Sequence, residues 1–200
     1  WSSDVCSSDL GLKVSFVTTS WPTLSADLKA DKFDIAMGGV TETAARAKDF
    51  ALSQPVVPNG KIALANCAAA PALGSLEKID QPNVKVVVNP GGTNQSFVDE
   101  HIKQAQIIRV KNNIDNLEAL RQKTADMMVT DLIEGVYYES NEPGVFCVAN
   151  EQPFSGTASF KVYMMNKDNP QLLDKVNQWL ASQDKNVLKQ KWRIHDQLKP

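Results

Sequence analysis

The chain is poor in groups that hold metals. Its 200 residues include 2 His and 3 Cys, and His101 and His195 stand on helical stretches without ligand-like spacing, so no metal site is indicated. Neither sign of charge dominates: 21 Lys+Arg face 23 Asp+Glu for a formal net charge of -2, so there is no strong basic excess to suggest nucleic acid. No apolar run approaches the roughly 20 residues a membrane span needs. There are no internal repeats, no low-complexity segment beyond Ala68-Ala69-Ala70, and no pattern of a serine or cysteine nucleophile.

The first ten residues, Trp-Ser-Ser-Asp-Val-Cys-Ser-Ser-Asp-Leu, do not read like the start of a domain. They resemble the in-frame translation of a common DNA-sequencing adapter, joined abruptly to Gly11-Leu12-Lys13-Val14, and are set aside from fold reasoning. The plainer reading is a polar terminus. The adapter reading expects the natural chain to begin upstream of Gly11, so a missing signal peptide says nothing about compartment. Setting the segment aside removes Asp4, Asp9 and Cys6, which moves the formal charge from -2 to 0 and leaves Cys67 and Cys147. Two readings of that pair stand: one disulfide formed in an oxidising compartment, or two buried thiols acting as small hydrophobes. The remaining length suits one or two compact domains.

Short apolar runs alternate with helical patterns, which is the signature of an α/β layer fold. Strands are expected at 14–18, 34–38 (ending in Gly38-Gly39), 62–66 (after a turn at 57–60), 84–88, 107–110, 127–130, 145–149 and 160–165. Helices are expected at 24–30 (capped by Thr23 or Ser20), 75–79, 94–103, 114–123, 132–139, 170–182 and 187–192. The series from 72 to 150 looks self-contained, bracketed by the runs at 62–66 and 160–165 like two crossings between lobes.

Two stretches carry chemistry. In Val88-Asn89-Pro90-Gly91-Gly92-Thr93-Asn94, the proline ends a strand and the glycines allow close approach of a ligand. Thr93 or Asn94 then caps a helix whose N-terminal amides and dipole favour an anion. A second candidate socket is Gly38-Gly39-Val40-Thr41 with Arg46, since arginine grips a carboxylate with two hydrogen bonds. Each motif alone is also an ordinary turn; together they follow strands at the edge where α/β folds bind ligands. The second stretch is Val129-Thr130-Asp131-Leu132-Ile133-Glu134. Asp131 and Glu134 share a helix face at i and i+3, and both also suit plain capping roles. Facing a cleft, a partly desolvated Glu134 would serve as a general acid. Trp21, in Ser20-Trp21-Pro22, either forms a wall for a ring or simply packs.

Phe33-Asp34-Ile35-Ala36-Met37, the Gly39-Val40-Thr41 turn with Arg46, and Gly92-Thr93-Asn94 resemble the periplasmic solute-binding proteins for amino acids, over nearly all of 11–195. The resemblance implies a type II periplasmic-binding-protein fold: two α/β lobes joined by two crossing strands, with ligand in the cleft. It implies Arg46 and Thr41 on a carboxylate, Thr93 opposite, and Asp131 meeting an ammonium. Further stretches resemble the cyclohexadienyl dehydratases of that superfamily: 19–24, Gly60-Lys61 leading to Cys67, Ile79-Asp80-Gln81-Pro82, 88–94, 125–134, Gln152-Pro153-Phe154 and Gln178-Trp179-Leu180. Those enzymes convert prephenate to phenylpyruvate, or arogenate to phenylalanine, with loss of carbon dioxide and water. Their general acid ends a Thr-Asp-x-x-Glu motif, which falls on Glu134.

That resemblance implies a small-molecule carboxylate substrate and a substrate-binding set of Trp21, Gly39, Thr41, Arg46, Gly92, Thr93, Asn94, Thr130, Asp131 and Lys161. It requires no cofactor and no nucleic acid, and implies a periplasmic location. The other reading is a non-catalytic receptor delivering an amino acid or small carboxylate to the membrane component of an ABC transporter. Two departures stand out: Gln95 where the dehydratases carry an acid after Gly-Gly-Thr-Asn, and Phe160-Lys161 where they carry Glu-Lys. Beyond the adapter-like 1–10, the expected lobes are 11–64 with 158–200, and 65–157. The first lobe is expected to lack its first strand and helix.

Overall fold

The computed structural model describes residues 9–150 and 152–184. The chain divides into two compact units, one of residues 9–58 and 159–184, the other of residues 59–158.

In the first unit, β1 (Ile35–Thr41) and β2 (Ala51–Leu52) pair antiparallel with β9 (Ser159–Met165) in the order β1-β9-β2, and β3 (Val57–Asn59) also pairs with β9. Residues 24–29 form α1 (Leu24–Lys29), α2 is Ala44–Asp49, and α7 is Pro170–Ser182. The core joins Leu24 and Leu28 of α1 to Ala36, Val40, Phe50, Val162 and Met164, with Trp21 packed at its margin. Helix α7 begins where its sequence says it should. Asn169 accepts from the Leu172 amide at 3.1 Å, Pro170 sits where its missing N–H is harmless, and Val176, Trp179 and Leu180 form the buried face. Trp179 Nε1 donates to Asp9 at 2.8 Å.

The second unit holds a five-stranded sheet in the order β6-β5-β7-β4-β8. Its strands are β4 (Lys61–Asn66), β5 (Lys85–Val88), β6 (Gln106–Arg109), β7 (Met127–Asp131) and β8 (Phe146–Val148). β5 runs parallel to β6 and β7, whereas β4 is antiparallel to β7 and β8. Its helices are α3 (Leu76–Ile79), α4 (Thr93–His101), α5 (Asn113–Arg121) and α6 (Leu132–Asn141). Strand side chains alternate faces, and here both faces are covered. Ala63, Ala65, Val86, Val88, Met127 and Val129 enter one core, while Ile62, Leu64, Val87 and Met128 enter the other. Burial on both sides explains the unbroken apolar stretches 62–65, 86–88 and 127–129. Cys67 and Cys147 are disulfide-bonded with Cα atoms 4.9 Å apart, beside the Ala65↔Cys147 pair of β4 and β8.

Several expectations need correction. Residues 14–18 form no strand: the described strands offer them no ladder, and Phe16 stays 75% exposed. Residues 57–59 are a strand rather than a turn. Gly38-Gly39 does not end β1, which runs on to Thr41 through an irregularity between Ala36 and Val40, with Gly39 at φ +72. A positive φ without a Cβ is what such a bulge needs. Thr23 occupies the N-cap of α1 without a capping bond from its side chain. The expected lobe boundary at 64/65 moves to 58/59, because the ladder of β4 with β7 begins at Lys61↔Asp131. The helix expected at 187–192, and His195, lie outside the described residues.

Candidate functional site

The first unit gathers five of the expected residues around the end of β1. Lys161, on β9, is directly opposite Thr41 in the ladder and buried at 3% exposure. Its Nζ donates to Gly39 O and Thr41 Oγ1, each at 2.8 Å. The Gly39 bulge thus turns a carbonyl toward an ammonium. Thr43 caps α2 by accepting from the Arg46 amide at 3.2 Å, which fixes the base of that side chain. Arg46 Nη1 donates to Thr41 O at 2.7 Å, and the guanidinium lies 5.7 Å from the Trp21 ring centroid, within range of a cation–π contact. Trp21 therefore both borders the core and backs Arg46.

In the second unit, a residue absent from the expected set organises the rest. Lys61, at the first position of β4, is buried. Its Nζ donates to Asp131 Oδ1 at 2.8 Å, Thr93 Oγ1 at 2.7 Å and Asn94 Oδ1 at 2.5 Å. An ammonium has three N–H donors, and each has an acceptor here. Asn59 Nδ2 adds a bond of 2.8 Å to Asp131 Oδ1. The Gly-Gly-Thr-Asn turn is thus held by Lys61, and the N-cap of α4 is Gly92 rather than Thr93 or Asn94. Gln95, which stands where an acid was expected, accepts from the Gly91 amide at 2.7 Å. Asp131 does occupy the N-cap of α6, but its side chain makes no capping bond.

Glu134 belongs to a different set of contacts. Its Oε1 accepts from Asn113 Nδ2 at 2.7 Å, and its Oε2 is hydrogen-bonded to the Thr130 hydroxyl. Alternation along β7 separates the two groups: Asp131 pairs across to Lys61, and Thr130 pairs across to Ile62. The expected Asp131/Glu134 pair is therefore two sites at the head of one helix, where the dipole favours both charges. One turn farther on, burial pushes the Tyr138 phenol up, and the charge of Glu134 adds to the effect.

Glu134 is half-buried and Thr130 fully buried. The carboxyl thus sits between an amide that only donates through its nitrogen and a hydroxyl that can donate or accept. Lys61 left one sequence signal: a charge opening a strand whose six residues are all buried. Asn113 left none, because Asn112-Asn113 reads as a helix cap. Asn112 does that job, accepting from the Asp115 amide at 2.9 Å.

Comparison with known proteins places these residues in context. The pattern of the bacterial extracellular solute-binding proteins, family 3, matches residues 4–194. Cyclohexadienyl dehydratase of Pseudomonas aeruginosa is 36% identical over 171 residues, covering 86% of this chain and 63% of that relative. The chain therefore spans less than two thirds of the curated relative's length. The crystal structure of AncCDT-1, an ancestral amino acid-binding protein and a precursor of cyclohexadienyl dehydratase, matches with a TM-score of 0.82 at 30% identity. That match covers 94% of this chain and 82% of the other. A binding component of an ABC transporter from Wolinella succinogenes, complexed with lysine, gives a TM-score of 0.82 at 21% identity over 97% and 84% of the two chains, a likeness of fold.

Proposed function

We propose that this chain, which belongs to the bacterial extracellular solute-binding proteins of family 3, is a dehydratase acting on prephenate or arogenate with Glu134 as general acid. The observation that carries the reading is the setting of Glu134, held by Asn113 and Thr130 at the start of α6. The 36% identity to a cyclohexadienyl dehydratase supports it. In the proposed reaction the bond from the ring to its carboxylate breaks and releases carbon dioxide. The electron pair moves through the diene, and the bond from the opposite ring carbon to its hydroxyl breaks. Glu134 supplies the proton that lets hydroxide leave as water. Aromatisation drives the step, so positioning and one proton suffice, and no cofactor takes part.

In the first unit Arg46, Thr41 and Lys161 are the candidates for carboxylate recognition, with Gly39 shaping that stretch and Trp21 as a wall for a ring; in the second unit the candidates are Gly92, Thr93 and Asn94. Thr130 serves as the hydrogen-bond partner of the acid. One contact weighs against the alternative, a receptor handing an amino acid to the membrane component of an ABC transporter. That reading gives Asp131 the ammonium of the ligand, whereas Asp131 Oδ1 already meets the ammonium of Lys61. The family is extracellular in bacteria, and we infer a periplasmic location, with which the Cys67–Cys147 disulfide accords.

The test is direct. The purified chain is mixed with prephenate at neutral pH, and phenylpyruvate is followed by its enolate absorbance in base. Turnover well above the uncatalysed rate is expected. The uncatalysed rate alone, together with tight binding of a free amino acid, would replace the enzyme with the receptor.

A further inference from the structure

Behind Glu134 runs a line of three asparagines, of which the proposed function uses only Asn113. Asn116 lies on α5 at 1% exposure, and Asn89, in the turn after β5, is also buried. Asn116 Nδ2 donates to Asn89 Oδ1 at 2.6 Å and reaches Asn113 Oδ1 at 3.4 Å. Asn113 Nδ2 in turn donates to Glu134 Oε1 at 2.7 Å. Two carbonyl oxygens therefore converge on the amide nitrogen of Asn116. Its own carbonyl oxygen is left buried with no hydrogen-bond partner. A position selected for packing alone would carry leucine there, since an orphaned buried acceptor is a liability. What the arrangement secures is direction: rotating the Asn113 amide would set its oxygen against the Glu134 carboxylate and its nitrogen against that of Asn116.

We infer that Asn113, Asn116 and Asn89 form an amide relay of positioning residues, which fixes the Glu134 carboxyl and confines its transferable proton to Oε2, the oxygen facing Thr130. The inference rests on the reading of Glu134 as general acid. The other titratable groups around this carboxyl are few. Tyr138 lies one turn along α6, and Asp131 at the helix head is paired with Lys61. The facing start of α5 presents Asn112, Asn113 and Asn116, with Asp115 as the acid of its first turn.

The test combines kinetics with the carboxyl-carbon NMR resonance of Glu134 at fixed pH in the full chain, the resonance being identified by its loss in Glu134→Gln. Asn113→Leu removes the donor to Oε1. It is expected to move that resonance and to lower kcat about tenfold with KM nearly unchanged. Asn116→Leu leaves that donor in place but removes what orients it. It is expected to move the same resonance in the same direction by less and to lower kcat by less; it also leaves the buried Asn89 Oδ1 without its donor, so a modest fall in Tm accompanies it. An unmoved resonance in folded Asn113→Leu overturns the relay, and an unmoved resonance in Asn116→Leu cuts it back to one hydrogen bond and so overturns it too. If the wild-type chain fails to turn prephenate over while both variants still move the resonance, the dehydratase reading falls and the relay stands.

Discussion

Replacing Lys61 with methionine isolates the buried ion pair of the second unit. The Lys61 and Asp131 side chains are 7% and 13% exposed, so solvent screens little of their attraction. Removing one partner of a buried pair typically costs about 3–5 kcal/mol. Asp131 keeps the Asn59 bond and the start of α6, which places Lys61→Met near the lower end, about 3 kcal/mol. Asp131→Asn leaves Lys61 its bonds to Thr93 and Asn94 and is expected to lose about 2 kcal/mol. The double variant carries no unpaired charge and should return to within about 1.5 kcal/mol of the wild type, a coupling of roughly 3 kcal/mol or more. Native-state hydrogen exchange of the β4 and β7 amides is the appropriate assay, because it reports this unit rather than the whole chain. Additive single effects, with coupling below about 0.5 kcal/mol, would refute the claim that Lys61 and Asp131 act as a pair.

Three further outcomes follow from particular contacts. A Cβ on Gly60 would lie 2.6 Å from Pro153 Cβ; the rigid ring has nowhere to go, so Gly60→Ala should cost about 1–3 kcal/mol in urea unfolding of the second unit. The Cys67–Cys147 bond closes a separation of 80 residues, which in the chain-entropy account is worth up to about 4.5 kcal/mol; the Cys67→Ala/Cys147→Ala variant should unfold at clearly lower urea than the oxidised protein. Asp27 is held down from the ordinary 3.8 to about 2, first by its hydrogen bond from Lys32 and next by that from Thr19. The folded value is the depressed one, so this stabilisation is present above about pH 4 and disappears as the pH falls towards 2. The stability gap between wild type and Asp27→Asn should therefore close across that window, and a gap that persisted at pH 2 would remove the charge as its cause.

Elements buried on both faces, or opened by strong local signals, were legible in the sequence. The stretches 86–88 and 127–129 are apolar without alternation because each faces two cores, and α7 announces itself through Asn169, Pro170 and its amphipathic face. The run at 14–18 has the composition of a strand, but a strand exists only with a neighbour, and pairing is not written locally. The glycines at 38–39 read as a turn because periodicity does not distinguish a bulge from a strand end. In the site, Glu134, Asp131 and Arg46 were visible as charges beside strand ends. Lys61 showed only as a charge opening a strand, because its meaning lies in partners 32, 33 and 70 residues away. Asn113 and Asn116 were hidden for the same reason, since an amide on a helix becomes informative only once its acceptor is known.

Glu134→Gln tests the central claim most directly, because glutamine keeps the size and hydrogen bonding of the side chain while removing the transferable proton. Steady-state turnover of prephenate and calorimetric affinity for a non-reacting carboxylate analogue are measured on both proteins. The account predicts a fall in kcat of roughly 10²–10⁴-fold with affinity changed no more than about twofold. Full turnover in the variant would contradict it and move the proton donor to another residue.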